Sequence, residues 1–252
     1  MAKITAPFLI KGTLDDINFV ITANGNNYAR SKREGGMTSA EFKKNPVYDR
    51  IRNHGQEFGH CAKKSIVFRQ LVAKFNNLAK DGSFAGRVNK LLFDILKEDT
   101  TQQVGKRTLS EGLKTEEGKT HLLFFESNKL RPLRQVLKIK EQWLQQSQTI
   151  TLTDFIANKH LDWPAEATHV NLAIAITYWD FENDTFQTCY GNELVLEKNT
   201  VQKTITLSTV EPTKIGLQLT FLFIGFLKQD LKKQAFLHRK YNTAALIAYH
   251  TQ

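Results

Sequence analysis

Cysteine is scarce in this chain, with two residues, Cys61 and Cys189, in a sequence of 252. They stand far apart, and neither belongs to a CxxC pair or has histidines nearby in a metal-binding spacing. The sequence therefore predicts neither a disulfide framework nor a zinc site. We predict no metal site and expect a reducing compartment.

Long apolar runs are also missing. The run from Leu217 to Leu227 is broken by Gln218, Thr220 and Gly225, and it is too short to cross a bilayer. The apolar run at the start of the chain is too short for the core of a signal peptide. We therefore expect a cytoplasmic protein without a membrane span.

Catalytic signatures are absent as well. The sequence has no G-x-S-x-G elbow and no G-x-G-x-x-G that follows a strand. The stretch 59–65 places a glycine before Lys-Ser, as a phosphate loop does, but it lacks the second glycine and the preceding strand. We predict no enzyme activity, no catalytic residue and no cofactor. A metal or acid-base site remains open as a minor alternative at four residues: His160, Asp162, His169 and Asp180.

The composition itself is that of a globular protein, with 41% hydrophobic and 24% charged residues. The formal charge of +10 makes an anionic partner plausible, whether nucleic acid, an acidic protein or an acidic surface. Charge alone does not choose among these partners, and a basic balance also occurs in proteins that merely stay in solution.

Residues 10–33 have the pattern of an extended arm. Strand patterns alternate with turn residues, and Asn24-Gly25 favours a two-residue hairpin turn. An isolated hairpin is only marginally stable in water, so the arm from Ile10 to Arg33 needs a surface to lie on. Two alternatives stay open: the protein's own second half, or strand addition to a neighbouring subunit or partner.

Helical signals follow the arm. Thr38 opens a capping box, and Asn45-Pro46 is a good helix start. A stripe of Tyr48, Ile51, Gly55, Phe58, Ala62 and Ile66 predicts the buried face of the helix that follows. Gly55 and Gly59 lie one turn apart, which favours close approach of another element. Two further helical stripes comprise Phe68, Leu71, Val72, Phe75 and Leu78, then Phe84, Val88, Leu91, Leu92, Ile95 and Leu96.

In the second half of the chain, apolar residues recur at every second position. Residues 99–119 are polar with spaced glycines, which predicts a connection with short helical turns. Alternation along 169–176 and 204–208 predicts strands with one buried face. Further strands are expected at Leu122 to Phe125, Thr149 to Leu152, Phe186 to Leu196, Leu217 to Leu227 and Thr243 to Tyr249.

These patterns predict an α+β protein. An N-terminal extended β-arm and a helical hairpin or three-helix unit occupy residues 1–118. A C-terminal antiparallel immunoglobulin-like β-sandwich occupies residues 119–252. The three tryptophans of the chain are expected in the core of the sandwich.

Basic residues interleaved with aromatic ones are the best functional signal. Positive charge beside stacking surfaces is what a phosphate backbone with exposed bases would use. The competing interpretation is a solvated helix face with its tyrosines in the core. The predicted partner-binding or nucleic-acid-binding residues are Tyr28, Arg30, Lys32, Arg33, Lys43, Lys44, Arg50, Arg52, Lys63 and Lys64.

Three stretches resemble an uncharacterised conserved protein family of Bacteroidota. They are Tyr28-Ala-Arg-Ser-Lys32, the segment from Asn45-Pro46 to Ala62-Lys63, and Pro164-Ala-Glu-Ala-Thr-His-Val170. Glu166 stands where the family pattern has glycine, so the turn before the strand is expected to have another form in this chain. The resemblance carries no assigned activity, and it implies only that arm, helices and sandwich form one inherited unit.

Two functional hypotheses follow. The first is a non-enzymatic structural or adaptor subunit that assembles, as a homo-oligomer or with a protein partner, through its N-terminal β-arm. The alternative is a basic protein that binds nucleic acid, associated with DNA or the ribosome, through the 30–69 region.

Overall fold

The computed structural model describes residues 2–22, 24–32, 37–210, 216–230 and 233–251. Contacts between Cα atoms divide the chain into two compact units, residues 1–49 and 50–252. We describe each unit by itself. The domain boundary predicted after residue 118 is not tested by this division and stays a prediction.

The first unit contains a four-stranded antiparallel sheet. A two-residue turn with Asp15 at a φ of 47° joins its second and third strands. The loop between Ile21 and Asn27 is longer than the predicted two-residue turn, although Gly25 does adopt a positive φ, of 77°. The strands lie in the order β1-β4-β3-β2, with β1 at Ala2–Ile4, β2 at Gly12–Leu14, β3 at Ile17–Ile21 and β4 at Asn27–Ser31.

The predicted helix starts are confirmed. The hydroxyl of Thr38 accepts a hydrogen bond of 3.1 Å from the amide of Glu41 and caps α1 (Ser39–Lys44). Asn45 caps the 3₁₀ turn Pro46–Tyr48 by accepting from the amide of Val47 at 3.0 Å. The long helix α2 (Asp49–Gln70) continues directly from this turn.

The second unit combines helices with two antiparallel sheets. Its further helices are α3 (Ala73–Ala79), α4 (Phe84–Lys97), α5 (Leu109–Gly112), α6 (Glu116–Leu122), α7 (Leu133–Val136), α8 (Ala157–His160) and a 3₁₀ turn at Arg239–Tyr241. Its strands are β5 (Gln142–Leu144), β6 (Thr149–Ile156), β7 (His169–Asp180), β8 (Thr185–Glu197), β9 (Val201–Ser208), β10 (Leu217–Asp230), β11 (Lys233–Phe236) and β12 (Thr243–Thr251).

The larger sheet is centred on β10 and β7. Strand β8 pairs with the free side of β7, while β12 and β11 pair with successive parts of β10. The smaller sheet has the order β5-β6-β9. The chain is therefore an α+β protein with antiparallel sheets.

The larger sheet is the middle layer of this unit. One hydrophobic core packs its Ala173, Trp179 and Phe223 face against α2, α3 and α4. The other packs its Val170, Leu172 and Ile224 side against the smaller sheet. The prediction of one buried face was therefore wrong for β7, which is buried on both sides. Ala173 and Ala175 lie on the side of β7 that faces the helices. In the sequence these positions alternate with large apolar residues, so this side of the strand was interpreted as the less apolar one.

Two other predictions were wrong. The stripe predicted as the buried face of α2 includes Ile51, Phe58 and Ile66, and these three are exposed. The buried residues of this helix are Glu57, Cys61, Lys64, Ser65 and Phe68, because polar contacts made by residues far along the chain fix the other face. A Cβ on Gly55 or Gly59 would meet no atom of the described residues within 4 Å, so the close approach predicted there is absent.

The strand predicted from Leu122 to Phe125 was also wrong. Leu122 is the last residue of α6, and Phe124 adopts a φ of 59°, in the left-handed region. The amide of Phe124 donates to the carbonyl of Leu246 at 2.8 Å, so this stretch is a tight turn held against β12.

Candidate functional site

The predicted binding residues divide between the two units. Tyr28 and Arg30 lie in β4 and Lys32 follows that strand, while Lys43 and Lys44 form the last turn of α1. Arg33 lies outside the described residues. The remaining members lie on α2: Arg50, Arg52, Lys63 and Lys64.

The basic residues of α2 differ in exposure. Arg50 and Lys63 are exposed, and Arg52 is half-buried. Lys64 is buried, and its ammonium group lies 2.8 Å from a carboxylate oxygen of Asp184. It also donates to the carbonyl of Phe181. Lys64 thus ties α2 to the turn between β7 and β8, and we leave it out of the proposed binding surface.

A cleft of about 590 Å³ lies at the start of α2, beside the end of α4 and the loop that follows α4. Small-molecule sites commonly have volumes of roughly 300–1,000 Å³. Three of its lining residues are basic, but the surface that faces the cleft is almost entirely apolar. The lining residues are Arg50, Asn53, His54, Lys97, Val104 and Arg107.

Arg107, one of the lining residues, belongs to an ion pair. Arg107 donates from Nε and Nη2 to the two carboxylate oxygens of Glu57, both at 2.8 Å. Glu57 is 1% exposed, and it also accepts a hydrogen bond of 2.7 Å from the amide of Gly105. The side-chain hydrogen bond from Arg107 outweighs burial and lowers the pKa of Glu57. The carboxylate is therefore ionised and holds the guanidinium in one orientation.

The loop of the cleft is held by a second buried carboxylate. Asp99 accepts hydrogen bonds from the amides of Thr101 at 2.8 Å and Thr108 at 2.9 Å. These contacts close the loop that carries Val104 and Arg107. Gly105 has a φ of 99°, and a Cβ there would lie 2.6 Å from Cγ of Asn53. Only glycine fits this position, which brings the loop against α2.

The cationic side chains around the cleft differ in the partners that they contact. Lys97 lies 2.9 Å from Asp94, and its ammonium stands over the ring of Phe93. Nη1 of Arg107 and the side chain of Arg50 have no hydrogen-bond partner among the residues that the structure describes.

Sequence reasoning found one of the cleft residues as a binding residue, Arg50. It missed Lys97, Val104 and Arg107 because they lie in or beside the stretch interpreted as a connection. A signal was present in the order Asp99, Gly105 and Arg107, since a capping carboxylate and a glycine are typical of a tightly closed loop. Nothing in the sequence indicated that Glu57 is the partner of Arg107.

The minor alternative was a metal or acid-base site at four residues: His160, Asp162, His169 and Asp180. His160 accepts from the amide of Ile156 at 3.1 Å, and Asp162 is bound by Arg131. Asp180 caps the turn that follows β7. Among the described residues, no group of three or more His, Cys, Asp or Glu side chains is arranged to hold a metal ion.

Comparison with protein-family models, curated proteins and solved structures found no match to this chain. In the described part of the chain, no helix is long and apolar enough to cross a membrane. The site therefore has to be interpreted from its own geometry.

Proposed function

We propose that this protein is a non-enzymatic structural or adaptor subunit that assembles through its N-terminal sheet. The observation that supports this is strand β2 at the edge of the N-terminal sheet. Among the described residues β2 pairs with β3 alone, and its three residues Gly12–Leu14 are all exposed. An edge strand presents unpaired amide and carbonyl groups to any strand that approaches it. A protein partner or a second copy of the chain would add a strand there.

The edge carries apolar as well as polar groups. Leu14 pairs with Ile17 across the two-residue turn, and these side chains are 67% and 45% exposed. Phe8 and Leu9, in the connection before β2, are also exposed. In a two-residue hairpin the pair beside the turn exchanges hydrogen bonds, so the amide of Thr13 faces the free edge. Backbone groups for pairing and apolar side chains for specificity thus occur together.

Multi-angle light scattering of the full chain tests this proposal. Leu14→Lys places a charge at the edge, and Thr13→Pro removes the amide that faces it. The matched control is Leu130→Lys, at a leucine of nearly the same exposure, 65%, in the second unit. We expect a mass above that of one chain for the wild type and the control, and a lower mass for both edge variants. A strictly monomeric wild type at high concentration, with no protein partner recovered through this edge, contradicts the proposal.

Nucleic-acid binding through residues 30–69 is the second candidate. Arg50, whose side chain is exposed and has no described partner, favours it. Reversal of Arg50 and Arg52 to glutamate should weaken binding, and the affinity should fall steeply with salt. Lys90→Glu with Lys159→Glu is the control, because it changes the charge equally at two exposed residues outside this region. An affinity that does not depend on the salt concentration would contradict this candidate. Equal weakening of binding by the two double variants would also contradict it.

Two finer assignments belong to the proposal. We assign the two sheets of the second unit to an immunoglobulin-like sandwich, since they share a hydrophobic core face to face. We place the protein in the cytoplasm because Cys61 and Cys189 are both free thiols. The resemblance to the Bacteroidota family stays a prediction.

A further inference from the structure

Helix α2 carries a stripe of apolar and small residues along its exposed side. The three large side chains of the stripe, at positions 51, 58 and 66, are 59%, 55% and 52% exposed. An apolar stripe that covers about 100° of the helix circumference normally packs against another element. No charged residue stands within this stripe. Its members are Ile51, Gly55, Phe58, Gly59, Ala62 and Ile66.

The middle of the stripe combines open space with a fixed aromatic ring. A Cβ on Gly55 or Gly59 would meet no described atom within 4 Å, although glycine weakens a helix relative to alanine. Such residues let a second helix approach at the short end of the usual interaxial range, about 8 Å. The ring of Phe58 is held by Phe93 of α4, with 6.4 Å between the ring centroids. A fixed ring thus lies next to a position that can receive one.

The spacing of the stripe is the same from either end. Its members follow one another at steps of 4, 3, 1, 3 and 4 residues, so its midpoint falls between Phe58 and Gly59. A two-fold axis through this midpoint, perpendicular to the helix, generates an antiparallel copy with each position facing its counterpart. The facing pairs are Ile51 with Ile66, Gly55 with Ala62, and Phe58 with Gly59. Large side chains therefore meet at the two ends, and in the middle each ring meets a glycine.

The area of the stripe is sufficient for a reversible dimer. From Ile51 to Ile66 it is about 22 Å long. The exposed part of each large side chain offers about 100 Å², and with the small residues and flanking stems the contact buries roughly 500 Å² per chain. Two copies would bury about 1,000 Å² in all, which is the lower limit for a specific interface. We therefore expect an association that depends on protein concentration.

We propose that α2 is the contact of an antiparallel dimer of this chain, with its two-fold axis between Phe58 and Gly59. Each Phe58 ring packs on Gly59 of the second copy. The contact gives the protein an assembly surface separate from the edge strand β2. It does not rest on strand addition there, and either association can form without the other.

Cysteine cross-linking tests the pairing. Ile51→Cys and Ile66→Cys are made separately in the full chain with Cys189→Ser, while Cys61 is buried and stays in place. Within one helix these positions are about 22 Å apart, beyond the roughly 7 Å between Cα atoms that a disulfide can bridge. Under mild oxidation, a mixture of the two variants should give several-fold more disulfide-linked dimer than either variant alone. Equal yields, or no cross-link in the mixture, overturn the proposal.

Gly59→Gln tests the open position that receives the ring. Sedimentation equilibrium is measured on the full chain with Leu14→Lys, so that the β2 edge does not contribute. The added side chain occupies the space of the second copy's ring and meets no described atom of its own chain near its Cβ. The dissociation constant should therefore rise at least about tenfold. Circular dichroism checks that the variant is folded.

Gly86→Gln is the matched control. Gly86 is an exposed glycine within α4, and a Cβ there would also meet no described atom within 4 Å. This variant should dimerise as the Leu14→Lys chain does. Equal effects of Gly59→Gln and Gly86→Gln on the dissociation constant overturn the assigned contact.

Two further outcomes distinguish a second copy from other occupants of the stripe. Because the stripe carries no charge, added salt should not weaken the dimer, and weakening by salt would contradict an apolar contact. A Leu14→Lys chain that stays monomeric at high concentration also overturns the dimer. A wild-type mass no higher than that of this α2 dimer would instead contradict strand addition at β2 alone.

Discussion

Arg107 and Glu57 are joined by two parallel hydrogen bonds, from Nε to Oε1 and from Nη2 to Oε2, each 2.8 Å long. The two residues lie on different elements, since Glu57 belongs to α2 and Arg107 to the loop before α5. A buried pair of this kind has limited net value for stability, but each partner depends on the other. The pair therefore fixes the loop that shapes the cleft.

Removal of one partner should be costly. Glu57→Ala leaves Arg107 without its counter-ion in a largely buried place, and we expect a loss of about 3–5 kcal/mol in the free energy of unfolding. Urea denaturation measures it. Glu111→Ala is the control, because Glu111 forms an exposed pair with Lys114 that contributes about 1 kcal/mol or less. Equal losses in the two variants would contradict the structural role of the buried pair.

The same pair predicts an acid dependence of stability. The side-chain hydrogen bond from Arg107 lowers the pKa of Glu57 below its ordinary value of 4.5. A carboxyl group with a lowered folded pKa stabilises the protein fully above its unfolded pKa, and that contribution disappears as pH falls through the folded pKa. The stability gap between wild type and Glu57→Gln should be constant near neutral pH and narrow below pH 4.5. A difference in the free energy of unfolding that increases as the pH falls would contradict the lowered pKa of Glu57.

Lys63 and Lys64 are neighbours in sequence with different environments. Lys63 is exposed, whereas Lys64 is buried and bound to Asp184. We expect Lys63→Glu to change the free energy of unfolding by about 0.5 kcal/mol or less. Lys64→Glu puts two carboxylates together beside buried carbonyl groups and should cost at least about 3 kcal/mol. Thermal melts of the two variants provide the comparison, and similar melting temperatures would refute the burial of Lys64.

Two glycines should respond to alanine in opposite directions. A Cβ on Gly112 would lie 2.1 Å from the carbonyl oxygen of Ile95, so Gly112→Ala forces α5 away from α4 and should cost about 1–3 kcal/mol. Gly59 lies within α2 with no described atom near its Cβ position. Gly59→Ala should therefore stabilise the protein by up to about 1 kcal/mol. Denaturant titrations give both signs, and a stabilising Gly112→Ala would count against the observed packing.

The two thiols should react at different rates. Burial raises the pKa of Cys61 to about 12, so its thiolate is almost absent near neutral pH. Cys189 is only partly buried. Mass spectrometry after brief treatment with iodoacetamide should find Cys189 modified and Cys61 intact, and both modified after denaturation. Modification of Cys61 first would mean that its helix face is accessible.

The sequence predicted the packing of α4 correctly. Its stripe from Phe84 to Leu96 is buried at every predicted position, because a strongly periodic helix has one face that can enter a core. The strands at 169–176 and 217–227 were also found, since long apolar stretches bounded by turn residues identify them.

The interpretation of α2 failed for a physical reason. Periodicity indicates which side chains would prefer burial, but it does not show where polar partners will come from. Glu57 is stabilised by Arg107, and Lys64 by Asp184, each from a distant part of the chain. These contacts turn the polar side of the helix inward and leave Phe58 at the surface, 55% exposed. The cleft is likewise formed by residues that are distant in sequence. The local sequence pattern could therefore predict neither the buried face of α2 nor the cleft.

The burial of β7 on both faces bears on how the second unit opens. Hydrogen exchange reports the free energy needed to expose each amide, and amides that open only on global unfolding exchange last. Strands β7 and β10 pair along eleven successive residue partners, from Leu217 with Trp179 to Leu227 with His169. Their amides stay shielded when either outer layer loosens, so the slowest exchange should be found there. Protection should decline outward from this pair toward the helices on one side and the smaller sheet on the other.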